Sequence, residues 1–236
     1  MASLSLIRHG QASFGSENYD QLSELGRRQA DVSGEYFAEI GLNFDQAYCG
    51  NLSRQVETAE RVLARQVQRP KLIVDQGFNE VDNEGQIVCL LPELVKNNSQ
   101  LNKVVEGAST DTKRYQKLIQ AVFNAWVSPD CPVMSETASW ADYRKDVCGA
   151  LQSAMASAKP GSDTAVFTSG GTIATAVSWV LGCTHDQIYK FYEPVFNCSI
   201  TTLLFSENRV SLSNFNDISH LRLIGRQLDE VLVTYR

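Results

Sequence analysis

The sequence predicts an α/β protein, a three-layer α/β/α sandwich with a mostly parallel sheet, helices on both faces and a partly helical insertion. Two observations support this fold class. Short apolar runs of strand length alternate with segments of helical periodicity towards both ends of the chain. Two of these runs, at 3–7 and 164–168, lead directly into glycine-containing turns. With 236 residues, the chain fits a single domain in which residues 86–136 form an insertion or cap.

The first part of the predicted sheet comes from residues 3–74. The apolar run at 3–7 predicts a short buried strand. A helix is predicted next because Ala30, Ser33, Phe37 and Ile40 recur at helical spacing. In chain order, the predicted elements are a strand at 3–7, a helix at 22–40, a strand at 44–49, a helix at 52–67 and a strand at 71–74.

The segment 86–136 lacks this alternation of strands and helices. It is interrupted by proline, glycine and paired asparagine, and it contains one clear helical stretch at 112–126. We therefore interpret 86–136 as a partly helical insertion or cap over the sheet.

The alternation resumes after the insertion. A long helix is predicted at 137–158, because its large apolar residues form one stripe at helical spacing. The remaining predicted elements are a strand at 164–168, a helix at 172–181, and strands at 200–205 and 210–212 joined by a short turn. In α/β sheets, functional sites lie beyond the carboxyl ends of the strands, so the turns after 3–7 and 164–168 are the first places to search.

Composition excludes some classes of function. The formal net charge is -6, with 43% hydrophobic and 20% charged residues, and no block of lysine and arginine occurs. These values are typical of a globular protein and argue against a general nucleic-acid binder, which needs a basic face. A small anionic substrate remains compatible, because a pocket needs only a few local cations.

The six cysteines are scattered, without the paired spacing of a zinc site. We interpret them as reduced thiols and expect no metal. The N-terminus lacks the basic segment of a signal peptide, and the apolar stretch at 174–181 is too short to span a bilayer. The sequence therefore predicts a cytoplasmic protein without a membrane partner.

The turn after the first predicted strand holds a candidate nucleophile. The imidazole of His9 can attack a phosphoryl group. Arg8 can bind phosphate oxygens through its planar fork of donors, and Gly10 permits a tight turn.

Further candidates lie at the ends of other strands. Arg54, in the first turn of a predicted helix, is a second cation for phosphate, and Glu80 is a candidate proton donor. Asp82 and Glu84 lie in the same acidic loop, so the proton donor remains open among the three on position alone.

The second glycine turn offers a further phosphate contact. Ser169 and Gly170 begin a predicted helix whose free amides favour an anion, although Ser169 would also serve as an ordinary N-cap. The remaining histidines, His185 and His220, are interpreted as structural.

These motifs together resemble the histidine phosphatase superfamily, the phosphoglycerate-mutase-like fold. The matching segments occur in the same order over most of the chain except 86–136. They are residues 8–10, the helix start at 22–30, the arginine motif at 52–59, the acidic loop at 78–85, the turn at 167–173 and the late strand at 197–203.

The resemblance implies roles for individual residues. His9 would become phosphorylated, Arg8 and Arg54 would clamp the phosphate, and Glu80 would be the general acid, with no metal or organic cofactor. The sequence departs from the family pattern at Ser169, where the family has a second histidine. Smaller departures occur at Gln11 and at residues 15–16.

Three functions follow from this pattern. The favoured one is a phosphatase that hydrolyses a phosphomonoester, either a small molecule or a phosphoprotein, through a phosphohistidine at His9. Ser169 supports an alternative, a weak or inactive phosphate-binding protein. A phosphoglycerate-type mutase is the least favoured. We expect residues 11–19 and 86–136 to form the rim that selects the substrate; the sequence does not indicate the oligomeric state.

Overall fold

A computed structural model gives the fold, and it describes residues 1–13, 20–96, 99–108, 111–131 and 137–235. Six strands of these residues form one sheet in the order β3-β2-β4-β1-β5-β6. The strands are β1 (Ala2–Arg8), β2 (Gln46–Cys49), β3 (Leu72–Val74), β4 (Asp163–Thr168), β5 (Ile200–Ser206) and β6 (Arg209–Asp217).

The sheet is mixed, with a parallel part and an antiparallel part. β1 pairs in parallel with β4, in a register that places Arg8 opposite Thr168, and β2 pairs in parallel with both β4 and β3. β5 runs antiparallel to β1 and to β6. The parallel strands are joined through helices, whereas the short turn between β5 and β6 makes a hairpin. The carboxyl ends of β1 and β4 therefore lie side by side.

Helices cover both faces of the sheet. The four that pack on it are α1 (Glu24–Glu39), α2 (Ser53–Leu63), α6 (Trp140–Ser157) and α7 (Gly170–Leu181). Leu4 and Leu6 of β1 lie in a buried cluster with residues of α6 and α7, whereas Ile7 lies in a second cluster with residues of α1 and α2. This alternation follows from the two-residue period of a strand. The predicted three-layer α/β fold is confirmed.

The segment after β3 is more helical than the sequence predicts. It forms α3 (Asn83–Lys96), α4 (Ser99–Ala108) and the predicted α5 (Thr112–Trp126). These helices share a buried cluster that includes Leu90, Ile119 and Trp126, and Tyr189 packs against it. The prediction underestimated the helices because it treated Pro92 as a helix breaker. Pro92 lies inside α3, where packing of the apolar faces sustains the helix. The assignment of 86–136 as an insertion or cap stays a prediction.

Several other boundaries differ from the predicted ones. α2 ends at Leu63 instead of continuing to residue 67, and β6 extends well beyond 210–212. α7 begins at Gly170, two residues earlier than predicted. Two short helices, α8 (Tyr189–Tyr192) and α9 (Ser219–Leu228), were not predicted. No helix within the described ranges has the length and apolar character needed to cross a membrane.

Candidate active site

His9 lies at the carboxyl end of β1, beside the end of β4. Its backbone amide donates to the carbonyl oxygen of Thr168 at 2.9 Å. Its own carbonyl oxygen accepts from the side-chain amide of Asn197 at 3.2 Å. Only 4% of His9 is exposed. The backbone that carries the imidazole is therefore fixed from two sides.

The contacts of the imidazole define its tautomer. Nδ1 lies 2.7 Å from the carbonyl oxygen of Gly10, which can only accept, so Nδ1 carries the proton. Nε2 then has a lone pair, and Arg54 Nε donates to it at 3.3 Å. Burial lowers the pKa of His9 well below its usual range, and the charges of Arg54 and Arg8 lower it further. The result is a neutral imidazole whose Nε2 can act as a nucleophile.

The turn after His9 packs against α1 at very close range. A Cβ on Gly10 would lie 2.3 Å from the carbonyl oxygen of Gly26, so a side chain at residue 10 is excluded. The Gly10 amide donates to Thr58 Oγ1 at 3.1 Å, and that hydroxyl donates to the carbonyl oxygen of Arg54 at 2.7 Å. Thr58 thus links the His9 turn to α2.

Arg54 is held in the first turn of α2 by an acidic residue. Arg54 Nη1 lies 2.7 Å from Asp20 Oδ1, and the other oxygen of Asp20 accepts from the backbone amide of Ser53 at 2.7 Å. The guanidinium is mostly buried, with its Nε directed at His9. Asp20 therefore orients the cation that faces the imidazole of His9.

Arg8 is anchored by backbone carbonyls. Its Nη1 donates to the carbonyl oxygens of Val195 and, at 3.1 Å, of Tyr235. The same C-terminal segment is tied down by Thr234, whose carbonyl accepts from the amide of Asn197 at 3.1 Å. Arg8 is close enough to His9 for its charge to lower the pKa of the imidazole.

Among the three candidate acids, Glu80 has the contact to α7. Its Oε1 accepts from the backbone amide of Gly171 at 2.9 Å and from that of Val81 at 3.0 Å. Asp82 instead accepts from the Gly85 amide at 2.9 Å at the start of α3, and Glu84 lies in the first turn of that helix. Only Glu80 is bonded to the helix that follows the end of β4.

Ser169 is at the N-cap of α7, but its hydroxyl makes no capping hydrogen bond. Instead it accepts from Gln55 Nε2 at 2.8 Å. Ser169 and Gln55 are both 0% exposed. A Cβ on Gly170 would lie 3.2 Å from the ring of Tyr192, so the start of α7 is tightly packed. The expected cap is replaced by a contact to α2.

A buried tyrosine supports the acidic loop. The Tyr143 hydroxyl donates to the carbonyl oxygen of Asn79 at 3.1 Å and lies 3.0 Å from Thr172 Oγ1. Burial raises the pKa of Tyr143 well above its usual range, and the charge of Glu80 adds to that shift. Tyr143 therefore stays neutral and holds the residue that precedes Glu80.

His9, Arg54, Ser169 and Glu80 thus fall into one network, and Arg8 is next to His9 in the sequence. Direct contacts join His9 to Arg54, and Glu80 to Gly171. Gln55, adjacent to Arg54, joins the two pairs through Ser169. Sequence reasoning missed the supporting residues Asp20, Gln55, Thr58 and Tyr143. Gln55 and Thr58 lie within the arginine motif at 52–59, and that motif could have pointed to them. No sequence pattern pointed to Asp20 or Tyr143.

Other predicted features lie outside this network. His185 is exposed in a short 3-10 helix, whereas His220 is buried, with Nε2 lying 3.1 Å from Ser33 Oγ. Residues 15–16, and most of the predicted rim at 11–19, lie outside the described residues. Within the described ranges, no group of histidine, cysteine, aspartate and glutamate side chains has the arrangement of a metal site.

Comparison with known proteins places this geometry in a family. The sequence profile of the histidine phosphatase superfamily (branch 1) matches residues 4–86 and 103–218. A 2,3-bisphosphoglycerate-dependent phosphoglycerate mutase of Rhizobium etli is 38% identical in an alignment of 87 residues that covers 34% of this chain. The match covers 41% of that relative's length, so the chain spans less than half of the curated relative.

Solved structures show the same fold. A phosphoserine phosphatase mutant from Entamoeba histolytica, solved with phosphoserine, is 20% identical with a TM-score of 0.64, covering 94% of this chain and 100% of its own. A phosphoglycerate mutase from Bacillus anthracis is 18% identical with a TM-score of 0.64, covering 94% and 95%. Since the profile spans most of the sequence, the chain belongs to the histidine phosphatase superfamily (branch 1).

Proposed function

We propose that this protein is a phosphatase that hydrolyses a phosphomonoester through a phosphohistidine at His9. The observation that carries the proposal is the imidazole itself: Nδ1 is bonded to Gly10, and Nε2 faces Arg54 Nε at 3.3 Å. A neutral, buried nitrogen next to a guanidinium is suited to attack a phosphoryl group whose oxygens the cation binds.

In the first step, the Nε–H of Arg54 turns from His9 Nε2 to a phosphoryl oxygen, and the freed Nε2 lone pair forms a bond to phosphorus. The ester P–O bond breaks, and the leaving oxygen takes a proton from Glu80. Arg54 and Arg8 balance the charge of the phosphoryl oxygens, and α7 begins at Gly170 directly beyond the end of β4, so its amino-terminal end favours an anion at the same edge of the sheet. That Ser169 also donates to the phosphate stays a prediction.

In the second step, water attacks the phosphoryl group on His9. The Glu80 carboxylate, ionised after the first step, accepts a proton from that water. The N–P bond breaks, which releases inorganic phosphate and restores the neutral imidazole. No other reactant is required, so the cycle closes with the ester and water alone.

The substrate class is a phosphorylated small molecule or a phosphoprotein. The solved relative with phosphoserine bound supports a small phosphate ester. The mutase relatives support transfer to a second hydroxyl instead of water as an alternative. The buried Ser169, where the family pattern has a histidine, supports the other alternative, a weak or inactive phosphate binder.

Release of 4-nitrophenol from 4-nitrophenyl phosphate tests the proposal. We expect His9→Ala to abolish release, and the wild-type protein mixed rapidly with substrate to gain the mass of one phosphoryl group at His9. His185→Ala is the matched control, because His185 is exposed and away from the site network. Phosphate binding without His9-dependent release would favour the inactive binder. Phosphoryl transfer to an added alcohol in place of water would favour a mutase.

A further inference from the structure

Gln55 lies at the meeting point of three segments that carry site residues. It is completely buried and follows Arg54 on α2. Its Nε2 donates to the carbonyl oxygen of Phe78 at 3.0 Å and to Ser169 Oγ at 2.8 Å. Its Oε1 accepts from the backbone amide of Leu52 at 3.4 Å, at the N-cap of the same helix. One carboxamide thus joins α2, the loop before Glu80 and the start of α7.

We propose that Gln55 is a positioning residue for the reaction proposed above, on which this inference rests: it keeps the Gly171 amide available to Glu80 by holding the Ser169 hydroxyl away from it.

Ser169 lies where a serine ordinarily caps a helix. A serine at an N-cap ordinarily accepts from the amide two or three positions further on, which here means Gly171 or Thr172. Ser169 has the N-cap position and makes neither bond. The Gly171 amide is instead bonded to Glu80 Oε1 at 2.9 Å. Ser169 and Glu80 are therefore potential competitors for one backbone donor.

The hydrogen bond from Gln55 decides this competition for the Gly171 amide. The bond from Gln55 Nε2 draws the Ser169 oxygen towards α2. Without that donor, the buried hydroxyl would be left unsatisfied, and turning to cap α7 would be its nearest remedy. The carboxylate of Glu80 would then lose a bond that fixes it at the site.

Gln55 also fixes the loop that precedes Glu80. The Phe78 carbonyl oxygen accepts from Gln55 and from Thr168 Oγ1 at 2.6 Å. Phe78 is two residues before Glu80, so the same carboxamide also fixes the backbone that presents the acid. Gln55 therefore acts on Glu80 in two ways, through the Ser169 hydroxyl and through the Phe78 carbonyl. Its own side chain is buried away from any substrate.

The test uses two phosphate esters that differ in their need for an acid. Phenyl phosphate has a poor leaving group and needs a proton donor, whereas 4-nitrophenyl phosphate needs one much less. For Gln55→Met, we expect kcat/KM to fall about 10- to 100-fold on phenyl phosphate and far less on 4-nitrophenyl phosphate. A loss of packing alone would lower both rates equally.

A second substitution tests whether the Ser169 hydroxyl causes the loss of rate. In the Gln55→Met protein, adding Ser169→Ala removes the competing hydroxyl, so part of the lost rate on phenyl phosphate should return. Gln66→Met is the matched control, because Gln66 is another buried glutamine that bridges two backbone groups, at residues 44 and 42, just beyond α2. It should lower stability without changing the ratio of the two rates.

If Gln55→Met does not fold, Gln55→Asn is the second variant. It keeps the amide but is one methylene too short to reach Ser169, and the same selective loss is expected. Equal losses on both esters, no loss at all, or no recovery on adding Ser169→Ala would overturn the role of Gln55 alone. A wild-type protein without His9-dependent release from either ester would overturn the proposed function as well.

Discussion

At the scale of single residues, the role proposed for His9 predicts how activity responds to acid. Burial, with Arg54 and Arg8, holds the pKa of His9 well below the usual 6.5. In the proposed mechanism the neutral imidazole is the nucleophile, and this form persists as the pH falls through 6.5. We expect kcat/KM on 4-nitrophenyl phosphate to begin its loss from imidazole protonation only below pH 6.5. Phosphorus NMR of the free substrate gives the pKa of the substrate itself, so its ionisation can be separated from that of the enzyme. A loss of kcat/KM from imidazole protonation at or above pH 6.5 would contradict the expectation.

A second prediction at this scale concerns which carboxylate is the acid. Glu80→Gln keeps the size of the side chain but removes the acidic proton that the carboxyl group can transfer, so kcat/KM on phenyl phosphate should fall about 10²- to 10⁴-fold. Asp82→Asn is the control, because Asp82 only accepts from the Gly85 amide and its replacement can still do so. Comparable losses in the two variants would remove Glu80 from the role of proton donor.

At the scale of elements, the start of α7 must approach the acidic loop without a side chain. A Cβ on Gly171 would lie 2.5 Å from Glu80 Oε1 and 2.8 Å from Val81 Cγ1. Gly171→Ala should therefore displace the loop and lower kcat/KM on phenyl phosphate by about 10²-fold, the cost typical of a misplaced catalytic group.

The control for that substitution is another helical glycine. Gly149, in α6, has no atom within 4 Å of the position a Cβ would take. Gly149→Ala should leave activity unchanged and raise the free energy of unfolding by up to about 1 kcal/mol, through helix propensity. Denaturant titration of both variants measures stability beside the rates. Unchanged activity in Gly171→Ala would show that the loop tolerates the shift.

The elements also show how much of the fold can be predicted from sequence. Local periodicity predicted the strands and helices of the sheet layers, because burial on one face leaves a two-residue or a helical repeat. It failed for α3, α4 and α9, whose lengths depend on packing against other helices rather than on local pattern. Pro92 inside α3 is the clearest example, since a breaker is tolerated once the surrounding faces are buried.

The residues of the candidate site also divide into those that the sequence could predict and those that it could not. The candidates His9, Arg54 and Glu80 could be predicted because each follows a strand and bears a chemistry of its own. Gln55 could be noticed only through its place in the arginine motif, and Tyr143 not at all, because their roles come from contacts between segments far apart in the chain. An amide or a hydroxyl has no functional signature until its partners are known.

At the scale of the whole molecule, a buried histidine makes stability depend on pH. Burial lowers the pKa of His220 to about 4, against 6.5 when unfolded. Between these values the unfolded chain binds more protons, so stability is lost as the pH falls from 6.5 towards 4. The loss from this residue should be on the order of 3 kcal/mol, measured by urea titration at a series of pH values.

His220→Gln provides the comparison, because glutamine can still bond to Ser33 and does not titrate. Its stability should change less over the same pH range than that of the wild-type protein. His185→Gln should leave the pH dependence unchanged, because His185 is exposed. Parallel curves for wild type and His220→Gln would show that His220 does not contribute to the acid sensitivity.

The anchoring of Arg8 links the site to the order in which the chain is synthesised. Arg8 and Tyr235, whose carbonyl oxygen it bonds at 3.1 Å, are 227 positions apart in the sequence. Thr234 is tied to Gln29 and Asn197 in the same way. On the ribosome, these partners become available only after every strand of the sheet has been made. A growing chain can therefore form its sheet before it can complete the hydrogen bonds that anchor Arg8.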